Sequence, residues 1–140
     1  MSSVEQNIKD LGLTLPETSK PLAAYIPAVQ TGNLIFTSGQ LPMVDGKLTH
    51  TGKVGAEVSA EDAKALAEIC ALNALAAIKM VIGDLEKIKR VVKVVGFVSS
   101  APDFTGQPSV INGASEFLGK VLGDKGIQGT DFCERLGILC

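Results

Sequence analysis

A chain of 140 residues can form one domain with a real core and needs neither disulfides nor a structural metal to hold it. Its formal net charge is −2 and its pI about 5.4, and the one basic cluster is Lys87-Ile88-Lys89-Arg90 with Lys93; this argues against the broad basic face and stacking aromatics of a nucleic-acid binder. Hydrophobic residues make up 46 %, with no Trp, one Tyr and five Phe, so the core must be aliphatic, and a mean hydropathy of +0.29 implies apolar surface buried between subunits.

The N-terminus, Met1 to Asp10, is polar and has no apolar signal core. Val4, Ile8 and Leu11 share one face of a short predicted helix. Pro21 to Pro27 reads as a loop carrying Tyr25. Ala28-Val29-Gln30 then reads as a strand, Thr31-Gly32-Asn33 as a tight turn, and Leu34 to Gly39 as the returning strand of a hairpin. That second strand ends in Thr37-Ser38-Gly39 and is stopped by Pro42. Such an end is ordinary turn chemistry, and it is also how a strand delivers hydroxyl and backbone groups to a ligand; the local pattern alone leaves both open.

Asp45-Gly46 signals another turn, and Gly52 and Gly55 keep the following stretch irregular. The sole histidine, His50, lies here as a surface loop residue with no partner at triad or metal-ligand spacing. Ser59 is a helix N-cap, followed by Glu61 and Asp62 at the positive end of the dipole, and the helix runs to Ile82 before Gly83. Leu66, Ile69, Cys70, Asn73, Ala76, Ala77 and Met80 form the expected apolar face. Cys70 reads as a small buried hydrophobe, and Asn73 requires a partner, expected from a neighbouring loop. Glu68, Asn73 and Lys79 interrupt the long apolar stretch from Ala65 to Ile82 and argue against a membrane span.

Arg90 to Ser100 is the clearest strand, β-branched and expected to be buried on both faces at its centre. Pro108 opens a second helix with the stripe Val110, Ile111, Ala114, Phe117, Leu118 and Val121. Asn112 and Glu116, four apart, share another face, either as a solvated polar pair or as part of a site. From Gly126 onward no alternation announces a further strand. The cysteines Cys70, Cys133 and Cys140 form no CxxC and, with one histidine, no metal set; an odd number without a secretory start fits a reducing cytoplasm. The order β-β-(short β)-α-β-α predicts an α+β fold in which two helices cover one face of a mixed β-sheet, and the other face, being apolar, is hidden by further copies of the chain.

Residues 21–126 carry a resemblance. Tyr25, then Gly32-Asn33-Leu34-Ile35-Phe36-Thr37-Ser38-Gly39-Gln40-Leu41-Pro42, then Leu72-Asn73 on the first long helix, Val95 with Phe97-Val98 and Asp103-Phe104, and Asn112 with Glu116 resemble, in order and spacing, the RidA (YjgF) family of enamine/imine deaminases. The resemblance implies a chorismate mutase-like fold for one domain spanning residues 1–140, a homotrimer with clefts between subunits, and a cytoplasmic enzyme without metal or organic cofactor. It implies hydrolysis of 2-aminoacrylate-type enamines or imines to 2-keto acids and ammonia. It assigns Tyr25, Ser38, Gly39, Asn112 and Glu116 to binding a small carboxylate substrate, with no membrane or nucleic-acid partner. The family also carries an arginine in an Ala-Arg-Ser-type strand after the second helix, and then an acidic strand. Here the sequence reads Gln128-Gly129-Thr130-Asp131-Phe132-Cys133-Glu134-Arg135-Leu136, and neither strand is recognisable; only Glu134 and Arg135 offer those groups, at a different spacing. The tail therefore reads as a replaced end. The same resemblance admits a non-catalytic carboxylate-binding or regulatory trimer, and an endoribonuclease or translation inhibitor is disfavoured by the acidic pI.

Overall fold

The 23-residue helix α2 (Ala60–Ile82) is the platform for the other elements, and its ends are built as the sequence requires. The Ser59 hydroxyl accepts the Asp62 N–H at 3.0 Å, and Gly83, at φ 78°, closes the far end by donating to the Lys79 carbonyl. The structure is a computed structural model that describes residues 3–17, 24–127 and 129–133; Glu134, Arg135 and Cys140 lie outside the described residues. Helix α1 (Ser3–Asp10) comes first. It is followed by the hairpin of β1 (Ala28–Thr31) and β2 (Leu34–Thr37) and the small hairpin of β3 (Met43–Val44) and β4 (Lys47–Leu48). After α2 come β5 (Lys93–Phe97), α3 (Gln107–Leu122) and β6 (Gly129–Cys133).

The two helices pack so closely that Gly113 lies on the Lys64 carbonyl, where a Cβ would overlap the oxygen. This contact selects the buried face of α2. Ala63, Ala67, Ala71, Leu72, Leu75, Ala76 and Ala77 are buried, because small side chains let the helix axes approach. Of the face expected from periodicity, Ala76 and Ala77 are buried, Leu66, Ile69, Cys70 and Asn73 are half-buried, and Met80 is exposed. Helix α2 is long and apolar enough to cross a bilayer by length and composition. Its alanine face, however, is packed on α3, and its Asn73 bonds a loop. The core continues from Leu75, Phe117 and Val121 to Leu85 and to Val4 and Ile8 of α1; each such side chain contributes about 1.5–3 kcal/mol on burial. Leu11, beyond the end of α1, is exposed rather than on its buried face.

The α+β architecture with two helices to one side is as expected, but the strands differ from the expected single mixed sheet. Among the described residues they form three separate two-stranded ladders: β1–β2 and β3–β4 antiparallel, β5–β6 parallel. Strand β6 was not legible in the sequence. Its five residues gain their partner only from β5, with Lys93 opposite Gly129 and Phe97 opposite Cys133. Strand β5 is shorter than expected and is covered on one face. Val94 and Gly96 turn toward the helices, Gly96 lying on Ile111, while Val95 and Phe97 are 54 % and 44 % exposed. The helices supply one covering layer, and among the described residues nothing covers the other face.

Candidate functional site

Both turns that shape the hairpin region follow from residue type. Gly32, at φ 55°, takes the first of the two positions between β1 and β2, where a type II′ turn requires glycine. Asp45 and Gly46, at φ 51° and 76°, make the paired left-handed turn between β3 and β4. Between these hairpins, residues 38–43 are held by side chains. The Ser38 N–H donates to the Pro27 carbonyl at 2.8 Å, and its hydroxyl donates to the Ile26 carbonyl at 2.6 Å. The Gln40 side-chain amide donates to the Ser38 carbonyl at 3.0 Å. From α2, Asn73 Nδ2 donates to the carbonyls of Leu41 at 2.9 Å and Met43 at 3.1 Å, the loop partner that its place in an apolar helix demanded.

The segment so fixed is the rim of a cleft of about 910 Å³. Gly39 to Pro42 form one side, Ala67 and Cys70 of α2 the floor, and Val95 to Phe97 of β5 the opposite wall. The lining is aliphatic, with Gln40, His50 and Ser99 as polar groups. Cys70 behaves as a buried hydrophobe: burial pushes its thiol up to about 12, far from the thiolate that a nucleophile needs. Among the described residues no Lys or Arg lines this cleft, and no cluster of three or more His, Cys, Asp or Glu could hold a metal ion.

The structure distributes the five sequence-derived site residues unevenly. Gly39 lines the cleft, and Ser38 precedes it with its hydroxyl turned back to Ile26. That bond also anchors the loop carrying Tyr25, whose side chain is 59 % exposed. Asn112 and Glu116 are on α3 and are not brought to the cleft; both are exposed, and Glu116 pairs with Lys64 Nζ of α2 at 3.0 Å. Sequence reasoning missed Gln40 as the brace of the Ser38 turn, although it directly follows Ser38-Gly39. It also missed Ala67, which periodicity leaves indistinguishable from the many other alanines of α2.

Comparison with known proteins gives concordant matches. Residues 5–132 match the family described as "YjgF/chorismate mutase-like, putative endoribonuclease". Protein TCP17 of Trypanosoma cruzi is 38 % identical over 122 residues, which are 87 % of this chain and 76 % of that protein. The solved structure of Atu1372 from Agrobacterium tumefaciens, a protein of unknown function, superposes with a TM-score of 0.88 at 44 % identity, covering 96 % of this chain and 84 % of that one. A Shewanella oneidensis structure, described as a "putative endoribonuclease", gives a TM-score of 0.89 at 30 % identity, covering 94 % and 87 %.

Proposed function

This chain belongs to the YjgF/chorismate mutase-like family, and from that premise we propose that it is a RidA-like deaminase of small enamines and imines bearing a carboxylate. In the reaction the enamine takes a proton at carbon and becomes the imine. Water then adds to the imine carbon, and cleavage of the C–N bond releases ammonia and the 2-keto acid. One water is consumed and no electrons are transferred. The observation that carries this reading is the braced Ser38-Gly39-Gln40 turn at the edge of an aliphatic cleft. A fixed backbone segment without a Cβ at Gly39 lets a planar substrate approach the main chain, while the aliphatic walls keep bulk water from the reacting carbon.

The substrate carboxylate needs a cation, best an arginine with its two parallel donors. In this proposal the cation comes from Arg135 or from a neighbouring copy, and Asn112 and Glu116 likewise join the site only from another copy. The exposed apolar residues Val29, Leu34 and Phe36 of the hairpin, with Val95 and Phe97 of β5, support self-association into a homotrimer. A cytoplasmic location belongs to the same proposal.

The test is hydrolysis of an amino-acid imine generated in the cuvette by an amino-acid oxidase, followed by loss of imine absorbance. Acceleration over buffer that is lost in Arg135→Gln is the expected result; no acceleration overturns the deaminase reading. A second reading, a non-catalytic carboxylate-binding trimer, is favoured by the Glu116–Lys64 pair, which occupies the carboxylate that the resemblance assigns to the site. Binding of a 2-keto acid without turnover would select it. Ribonuclease activity is disfavoured by the pI of about 5.4, and salt-sensitive RNA cleavage by the purified protein would reinstate it.

A further inference from the structure

Asp45-Gly46 and Asn112-Gly113 share a latent chemistry. In each, the glycine nitrogen can attack the side-chain carbonyl carbon of the residue before it, because glycine has no side chain to obstruct the approach. A five-membered succinimide closes, with loss of water from aspartate or of ammonia from asparagine. Water then opens the ring at either carbonyl. One opening gives aspartate; the other gives isoaspartate, in which the main chain runs through the side-chain carboxyl carbon. In an open chain at neutral pH the asparagine pair is the faster, because aspartate is then a carboxylate and a poor electrophile.

The fold reverses that order. Gly113 is buried within α3, its N–H is part of the helical ladder, and it lies on the Lys64 carbonyl. Its nitrogen therefore reaches Asn112 only when the helix opens. Asp45 and Gly46 instead form the exposed tip of a hairpin whose strands, β3 and β4, have two residues each, a length with little stability of its own. Among the described residues neither the Asp45 carboxylate nor the Gly46 N–H has a hydrogen-bond partner. The base of the hairpin is tied separately. Asn73 holds the Met43 carbonyl, and the Thr49 hydroxyl and N–H hold that of Pro42, so the tip can open while the base stays in place.

We propose that Asp45-Gly46 is a site of succinimide-mediated isomerisation in the folded protein, and that the change loosens the cleft rim from outside it. Isoaspartate adds one backbone atom to a two-residue turn. The register that this turn sets, Met43 opposite Leu48 and Val44 opposite Lys47, is then lost. Met43 belongs to that ladder and also takes one of the two Asn73 bonds, so the loss reaches the rim. The proposal does not rest on the deaminase reading, and its test contains no imine, so the two fail independently.

The full chain and its Asp45→Asn variant are aged in warm neutral buffer for several weeks and digested, and isoaspartate is located by its backbone fragment ions. Asn-Gly favours the same turn, so the variant keeps the hairpin. It then carries two Asn-Gly pairs, preceded by the β-branched residues Val44 and Ile111, and their rates differ only through the fold. In the variant, conversion at position 45 should be at least about tenfold faster than at Asn112, which must wait for helix opening. In the unsubstituted chain, isoaspartate should form at position 45 without change of mass, within about tenfold of its rate in the free peptide Met-Val-Asp-Gly-Lys-Leu. The isolated isoaspartyl form should exchange the amides of residues 43–48 at least about tenfold faster than the fresh chain. Equal conversion at both pairs of the variant overturns the proposal, since the fold would then select neither. An unsubstituted chain that stays unconverted while the peptide reacts overturns it too, because the turn would then protect Asp45. Unchanged exchange over residues 43–48 in the isoaspartyl form overturns the coupling to the rim.

Discussion

Asn73 of α2 donates to the carbonyl oxygens of both Leu41 and Met43, at 2.9 and 3.1 Å, so a single side chain fixes the Gly39–Pro42 rim to the helix that floors the cleft. Asn73→Leu keeps the volume and removes both bonds. The two carbonyls are then left to whatever water reaches them, a cost of about 1–2 kcal/mol. Urea unfolding should show the unfolding free energy falling by that amount, through a lower midpoint at an unchanged slope. Amide exchange over residues 40–43 should quicken at the same time. An unaltered midpoint would mean that the rim is held without Asn73, by Ser38, Gln40 and the Thr49 bonds to the Pro42 carbonyl.

Gly113 and Gly119 both lie within α3 but are expected to respond oppositely to the same substitution. A Cβ at Gly113 meets the Lys64 carbonyl, which is backbone and cannot turn aside, so Gly113→Ala forces the helices apart and should cost about 3 kcal/mol. A Cβ at Gly119 meets nothing within 4 Å, so Gly119→Ala should stabilise by about 0.5–1 kcal/mol through helix propensity alone. Denaturant unfolding of the two variants side by side checks the α2–α3 crossing directly.

Much of the fold could be read from the sequence because local chemistry agreed with it. Ser59, Gly83, Gly32 and Asp45-Gly46 each specify one cap or turn, and each is found in that role. The ladder pattern was not legible, since whether β2 and β5 share a sheet depends on contacts across more than fifty residues that alternation does not encode. Strand β6 failed for the same reason: Gly129 to Cys133 have weak β propensity and become a strand only beside β5. At the candidate site the Ser38-Gly39 turn was legible as a local signal. The separation of Asn112 and Glu116 from it was not, because helical spacing reports a shared face and not what that face meets.

Glu86 caps a helix to which it does not belong. Its carboxylate accepts from the Ser3 hydroxyl at 2.5 Å and from the Val4 N–H at 2.9 Å, closing the start of α1 from the short turn after α2. The Ser3 hydroxyl bond first, and then the Val4 N–H, hold this carboxyl below its usual value. A carboxyl whose folded value is depressed stabilises the fold above its unfolded value and loses that contribution as pH falls through the folded one. The docking of α1 should therefore be intact at neutral pH and weaken below the ordinary carboxylate range. Protection of the amides at residues 4–8, measured relative to the intrinsic exchange rate at each pH, is expected to fall on acidification. Glu86→Gln should show faster exchange at neutral pH and a flatter acid dependence. An unchanged acid dependence in that variant would assign the docking to Val4, Ile8 and the Glu5–Lys79 ion pair instead.

Glu116 distinguishes a functional residue from a surface one. Its partner Lys64 is 43 % exposed and Glu116 itself 52 %, so the pair contributes little: screening and side-chain entropy leave about 0–1 kcal/mol for such contacts. Glu116→Gln and Lys64→Gln should each shift stability by less than about 1 kcal/mol, and by similar amounts, since each breaks the same bond. Their effects on imine hydrolysis should differ. If Glu116 of one copy carries a proton in the cleft of another, Glu116→Gln lowers kcat/KM by about 10² or more. Lys64→Gln then leaves kcat/KM unchanged or raises it by releasing the carboxylate. Equal, small effects of both variants on rate and on stability would confine Glu116 to the α2–α3 surface. The proton relay would then have to come from the Ser38-Gly39 side of the cleft.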